Sequence, residues 1–417
     1  MWRRASITMR YNEDLNLLQF ACESGLTALV NKLLKRKRLT SPFTFQRYIN
    51  HPNSGPSALD LAVNGGNMKL VRLLLTYKAN IELPCGIVSK QSALHYAARR
   101  GHLEIFQLFA GKASGQRIID ADREASHTGV KFNSLLHLAA GSGNSQLCSS
   151  LIERYHYKVD LVGASGQSPL CDAIVSGSHD LARIFVGQWG ASITPADKIL
   201  EAIAESRRYF GRRRSRTELK FVTSELKIDI NTRNEAGETI LHLAFQRMAR
   251  MGYFPLTCYE FATHCLELGA NPSLRATNGD APFHLYKWFR NGTISSLRPV
   301  ILLLRDGRLG VNDQGDGGNT LLHKFIRSAF NSYGPKENDI FKRLPSLLDI
   351  GADRTLVNSQ KMTALQLAKM LYDDDRTVIH GTEFNIRTLE DIIDILENYV
   401  TVSNQPQRLD PLDWPVK

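Results

Sequence analysis

The feature that most constrains this chain is a recurrent start: a small residue, two mostly apolar ones and a polar fourth position, opening a short Ala-containing helix. SALDLAVNGGNMKLVRLLL (57–75), SALHYAARRGHLEIFQLF (92–109), SLLHLAAGSGNSQLCSSLI (134–152) and SPLCDAIVSGSHDLARIFV (168–186) align without a gap. The start recurs at 239, 281, 320 and 363 and, in altered form, at 16 and 198, with steps of 41, 35, 42, 34, 30, 41, 42, 39 and 43 residues. Such spacing describes a period near 33 with insertions, the signature of a stacked array. A chain of 417 residues exceeds the ~250–300 residues that one hydrophobic core serves, so an array or several domains is required.

Each unit reads as two helices around a Gly-containing turn. Helices under ~12–15 residues are marginal alone, so neighbours must supply the stability. Leu70, Val71, Leu73, Leu74 and Leu75 give one second helix an apolar face, and Ile105, Phe106, Leu108 and Phe109 give the next. Ala97, Ala98, Ala139, Ala140 and Ala244 act as spacers that let first helices approach closely. Gly- and Asn-rich stretches at 276–280 and 314–318 read as hairpin-like tips.

The residues resemble ankyrin repeats. Ser92-Ala93-Leu94-His95-Tyr96-Ala97-Ala98 with Gly101-His102 follows that family's Thr-Pro-Leu-His-x-Ala-Ala and Gly-His pattern. Gly269-Ala270-Asn271, Gly351-Ala352-Asp353 and, in part, Gly190-Ala191-Ser192 follow its closing loop. The repeats are divergent: no unit has the full Thr-Pro-Leu-His, and Cys171 stands where the histidine would be. The resemblance implies an all-α ankyrin-repeat solenoid of helix-turn-helix units with hairpin-like loops. Residues 1–50 form a capping region with a degenerate first repeat. Residues 51–400 form the array of about eight or nine further units, degenerate at 193–237 with a long loop around Gly211. Residues 401–417, with three prolines, form an extended tail in which Trp414 is a docking candidate.

His95 is open to three roles: metal ligand, general base or structural hydrogen-bonder. His95, His137, His242, His284 and His323 each hold the fourth position of a unit, one per layer. Packed helices sit ~10 Å apart, whereas two ligands of one zinc lie within roughly 4 Å. A shared metal is excluded on those distances. The resemblance implies that this histidine bonds the Ser/Thr of its own unit and the loop backbone, fixing the turn.

Nothing in the sequence supplies catalytic chemistry. A Gly-rich loop followed by Lys-Ser/Thr, HExxH and GxSxG are all missing. GDGGN at 315–319 falls where the register puts a hairpin. Six cysteines without a CxxC pair read as separate reduced thiols. The N-terminus has no apolar stretch after its arginines, and no segment supplies the ~20 apolar residues of a membrane span. The expectation is a non-enzymatic intracellular protein, cytoplasmic or nuclear, with no cofactor and no membrane insertion.

The implied activity is that of a scaffold or adaptor binding another protein on the concave face and hairpin tips. The exposed positions after the Ala pair read Asn64, Arg99, Arg100, Ser142, Ser176, Arg247 and Arg327, and their arginines suit an acidic partner surface. Arginine also caps helix C-termini as plain structure. The formal charge is +11, with basic runs at Lys35, Arg36, Lys37 and Arg38 and at Arg212, Arg213 and Arg214. Those runs carry the alternative reading, a nuclear or nucleic-acid-associated regulatory factor. Few aromatics interleave them, which sets nucleic acid below protein as the partner.

Overall fold

The computed structural model describes residues 17–38, 42–50, 56–83, 91–127, 133–163, 166–206, 214–250, 255–285, 289–290, 293–294, 310–330, 344–377 and 383–399. The structure is helical. Among the described residues, extended structure is confined to the pairing of Phe289–Arg290 with Thr293–Ile294 and one bridge, Val357 to Thr363. The chain divides into two compact units, residues 1–202 and 203–417.

In the first unit, helix pairs follow one another as α1 (Leu17–Glu23) with α2 (Thr27–Lys37), α4 (Ala58–Asn64) with α5 (Met68–Thr76), α6 (Ala93–Arg100) with α7 (Leu103–Ala110), α9 (Leu135–Ser142) with α10 (Ser145–Ser149), and α11 (Pro169–Val175) with α12 (His179–Gly187). Two insertions add α3 (Pro42–Ile49) and α8 (Ala113–His127), and α13 (Ala196–Glu205) opens the next pair. First helices form one layer, α1 on α4 on α6 on α9 on α11. Second helices form the other, α2 on α5 on α7.

The spacer reading holds in atomic detail. Ala97, Ala98, Ala139 and Ala140 are all wholly buried, so helix backbones meet with only a methyl group between them. Leu70, Val71 and Leu74, then Ile105, Phe106 and Phe109, are buried as the mortar between pairs, each worth about 1.5–3 kcal/mol of transfer free energy. Leu73, Leu75 and Leu108 sit half-buried at the margins of those faces.

The second unit repeats the scheme with α14 (Arg214–Lys220), α15 (Ile240–Arg250), α16 (Pro255–Glu267), α17 (Leu321–Phe330), α18 (344–349), α19 (Ala364–Thr377) and α20 (Glu383–Asn398). Here α15 packs on α16, α14 on α16, and α17 on both α19 and α20. Ala244 is buried like its counterparts. The degenerate stretch 193–237 contains two helices, α13 and α14. The expected long loop around Gly211 lies outside the described residues, as do Arg212, Arg213 and the tail with Trp414.

The tips share one five-residue turn, at 163–167, 234–238, 276–280, 315–319 and 358–362. In each, the first N–H reaches the fifth carbonyl and the fourth N–H reaches the first carbonyl, as in Ala276 to Asp280 at 2.8 Å and Gly279 to Ala276 at 2.9 Å. The fourth residue has positive φ in all five: Gly166, Gly237, Gly279, Gly318 and Lys361. The residue after the fifth is the start of the following unit.

A second glycine reverses the chain between the helices of a pair. Gly143 ends α9 with φ 78°, and a Cβ there would lie 2.4 Å from Ser178 Oγ of the next unit. Gly143→Ala is therefore expected to cost about 2 kcal/mol from left-handed strain and the displaced serine. A lowered urea midpoint at unchanged slope checks it. An unchanged midpoint would show that the turn yields freely.

Candidate protein-binding face

The turn histidines are fixed by donors that have no alternative. The backbone N–H groups of Ser92, Thr239, Ala281 and Thr320 point at Nδ1 of His95, His242, His284 and His323 at 3.2, 3.0, 3.0 and 3.3 Å. An N–H only donates, so each Nδ1 accepts, and each neutral ring carries its proton on Nε2. Ser92, Ser134, Thr239 and Thr320 hydroxyls sit 2.8–3.0 Å from the same nitrogens.

The far side of the ring reaches forward along the chain. Nε2 of His137, His242, His284 and His323 donates to the carbonyls of Gln167, Asp280, Asp313 and Met362 at 3.1, 3.1, 2.9 and 3.0 Å. Three of those carbonyls close the next tip turn. Burial holds the pKa of all four below the usual imidazole value, His284 at about 4. The structural reading of these residues therefore stands, and the ring joins each unit to its successor.

Units lacking the histidine close the cap locally. Ser57 N–H donates to Asp60 Oδ2 at 2.8 Å and Asp60 N–H to Ser57 Oγ at 3.2 Å. Thr363 and Gln366 exchange the same two bonds at 2.8 and 3.2 Å. These are reciprocal capping boxes.

His95 departs from the expected loop-backbone partner. Its Nε2 faces Asp122 Oδ1 at 3.4 Å, because the insertion expected at 117–127 is part of helix α8, which brings a carboxylate to the place of the loop carbonyl. Asp122 is only 5% exposed. Its Oδ2 accepts from the Leu135 N–H at 2.9 Å and from the Tyr157 hydroxyl at 2.7 Å. Burial, then the charge of Asp122, raise the Tyr157 pKa, so the phenol stays protonated and donates. Asp122 and Tyr157 have no sequence signal: they lie 27 and 62 residues after His95, outside the repeat register.

The positions after the Ala pair divide into two kinds. Arg99 and Arg100 are exposed at the end of α6, with Arg100 Nε donating to Asn64 Oδ1 of the preceding unit at 2.7 Å and Arg99 Nη2 to Gln91 Oε1 at 2.8 Å. Arg327 is exposed on α17. Ser142 and Ser176 instead donate back to the Ala139 and Ala173 carbonyls of their own helices at 2.7 and 2.9 Å. Arg247 Nη1 donates to the Ala204 carbonyl at the end of α13, the capping use of arginine.

Of the basic runs, Lys35, Arg36, Lys37 and Arg38 are exposed at the end of α2. Arg214 opens α14, and its side chain lies outside the described set. Cys22, Cys148, Cys171 and Cys265 are buried free thiols, and burial raises the pKa of each. No cluster of three or more His, Cys, Asp or Glu suited to a metal occurs among the described residues.

The family model described as ankyrin repeats (3 copies) matches residues 18–122. Residues 18–122 carry ankyrin repeats. The Ser–His cap seen inside that stretch at Ser92 and His95 recurs at 134–137, 239–242 and 320–323, where each ring also reaches the carbonyl that closes a tip turn. A search of curated proteins finds no match. Among solved structures, the ankyrin repeat domain of Bcl-3, described as a unique member of the IkappaB protein family, is similar at 21% identity, covering 70% of this chain and 98% of its own, with a TM-score of 0.32. Ankyrin repeats are protein-interaction modules, and no described helix is long and apolar enough to cross a membrane.

Proposed function

We propose that this ankyrin array is a non-enzymatic intracellular scaffold or adaptor, whose row of first helices and hairpin tips in the first unit receives an acidic surface of a partner protein. The observation that carries this reading is the Arg99–Arg100 pair, exposed at the end of α6 with Arg100 steered by Asn64 of the neighbouring unit. Two guanidiniums held in place at the end of a first helix lose less conformational freedom on pairing with carboxylates than two loose side chains do. Asn64, Ser142 and Ser176 occupy the equivalent positions of the neighbouring units, and Arg247 and Arg327 those of the second unit.

The test is a comparison of captured partners. Full-length protein and an Arg99→Glu/Arg100→Glu variant are used as bait, with Arg247 left intact because it caps α13. Partners of the wild type are expected to bind the variant at least tenfold less tightly, and association with the wild type is expected to slow as salt is added. An unchanged partner list and unchanged affinities would move the binding face elsewhere.

A further inference from the structure

Between Ser24 and Ile81 the chain has nine basic residues and a single acidic one, Asp60. Asp60 is 1% exposed and is held inside its capping box. This stretch therefore presents cations to solvent with no described carboxylate of its own beside them. Lys32, Lys35, Arg36, Lys37 and Arg38 are exposed on and just after α2, Lys69 and Arg72 on α5, and Lys78 just after α5. Because α2 and α5 pack side by side, at the 8–10 Å usual for helices, these charges form one field. Among the described residues no ion pair involves Lys32, Lys35, Arg36, Lys69, Arg72 or Lys78.

Apolar side chains stand exposed in the same region. Leu17 is 44%, Leu26 37% and Phe43 77% exposed, three of the five large hydrophobics so placed among the described residues. Phe43 lies in the first turn of α3, two residues before Phe45, which is buried against Tyr77 at 5.9 Å between ring centroids. Two residues are more than half a helical turn, so Phe43 points away from the core. Lys37 Nζ lies 5.3 Å from the Tyr48 ring centroid, which sets α3 against the basic end of α2.

We propose that this outer face of the first two repeats docks on an anionic phospholipid bilayer surface, with Phe43 entering the headgroup boundary. Cations alone would serve a polynucleotide as well. Exposed Leu26 and Phe43 gain nothing from phosphate contacts, whereas an acidic bilayer rewards both charge and apolar surface. Its cations lie on and just after the second helices α2 and α5, whereas Arg99 and Arg100 end the first helix α6. Lipid and a protein partner can therefore be held together.

The experiment is co-sedimentation of the full-length chain with phosphatidylcholine vesicles, plain or with a third of the lipid replaced by phosphatidylserine. Binding is expected only with phosphatidylserine and is expected to fall as salt rises. Each of Lys32→Gln, Lys35→Gln and Arg36→Gln should weaken it about fivefold, and Phe43→Ser should weaken it at constant charge. Lys220→Gln, exposed on α14, is the charge-matched control and should bind like wild type. Circular dichroism melts confirm that the variants are folded. Equal partition to both vesicle types, or none to either, overturns the proposal. So does a Phe43→Ser variant that binds like wild type while duplex DNA displaces the vesicles, a result that assigns the face to nucleic acid.

Discussion

Asp122→Ala is expected to lower the stability of the first unit by about 2 to 3 kcal/mol, a large share of what a domain of ordinary stability holds. The cost comes from the donors left behind. The Leu135 N–H, at the start of α9, loses its acceptor in a buried site. Tyr157 loses the closer of its two acceptors and must turn to the Ile119 carbonyl at 3.3 Å. His95 loses the group that faces its Nε2. Tyr157→Phe removes a donor together with its need and should cost about 1 kcal/mol, less than the aspartate. The two changes share a contact, so the double variant should fall short of the sum. Urea denaturation of the three variants checks the cycle. An Asp122→Ala protein within about 0.5 kcal/mol of wild type would mean that water replaces the carboxylate.

Acidification from pH 7 to pH 5 is expected to weaken the second unit more than the first. His242, His284 and His323 lie in the second unit with pKa values pushed down mainly by burial. Around His284, Asp280 pulls the other way, while Lys324 and Arg275 add to the depression. Above pH 6.5 these groups are neutral whether folded or not, and nothing is lost. Below it the unfolded chain takes up protons that the folded rings refuse, so stability drops until the folded pKa is reached. For His284, between 6.5 and about 4, that amounts to about 2 kcal/mol at pH 5. His242 and His323 add to it.

Among its described residues the first unit has one such ring, His137, and an opposing group. Burial pushes Asp172 up to about 7. Its folded form holds a proton that the unfolded chain releases above about pH 3.8, so its contribution improves as pH falls through 7. Hydrogen exchange at the two pH values, resolved by segment, separates the units. Equal loss of protection in both would refute the assignment.

Much of the fold was legible because its signals are local. The start, the Ala pair and the glycine turn lie within about a dozen residues, and each has a steric reason that survives sequence divergence. The histidine's fourth-position register was legible, its role was implied by the family resemblance, and five rings obey it at Nδ1. What escaped was set by distance in the chain. Asp122 reaches His95 from an inserted helix with no periodic relation to the start, and composition cannot distinguish that helix from a loop. The proposed binding face was legible only as positions: Ser142 and Ser176 look as polar and exposed in sequence as Asn64, yet their hydroxyls are spent on their own helices. Arg247 likewise differs from Arg99 only in having a helix end within reach.

The forward reach of the rings gives the array a one-way dependence. A tip turn such as 358–362 is closed by two backbone bonds of its own, whether or not His323 leans on the Met362 carbonyl. The ring has no such independence: without that turn its Nε2 proton is stranded. In this contact each unit so built leans on the one after it. Damage to a turn therefore travels backward by one ring, while damage to a ring stops where it occurs.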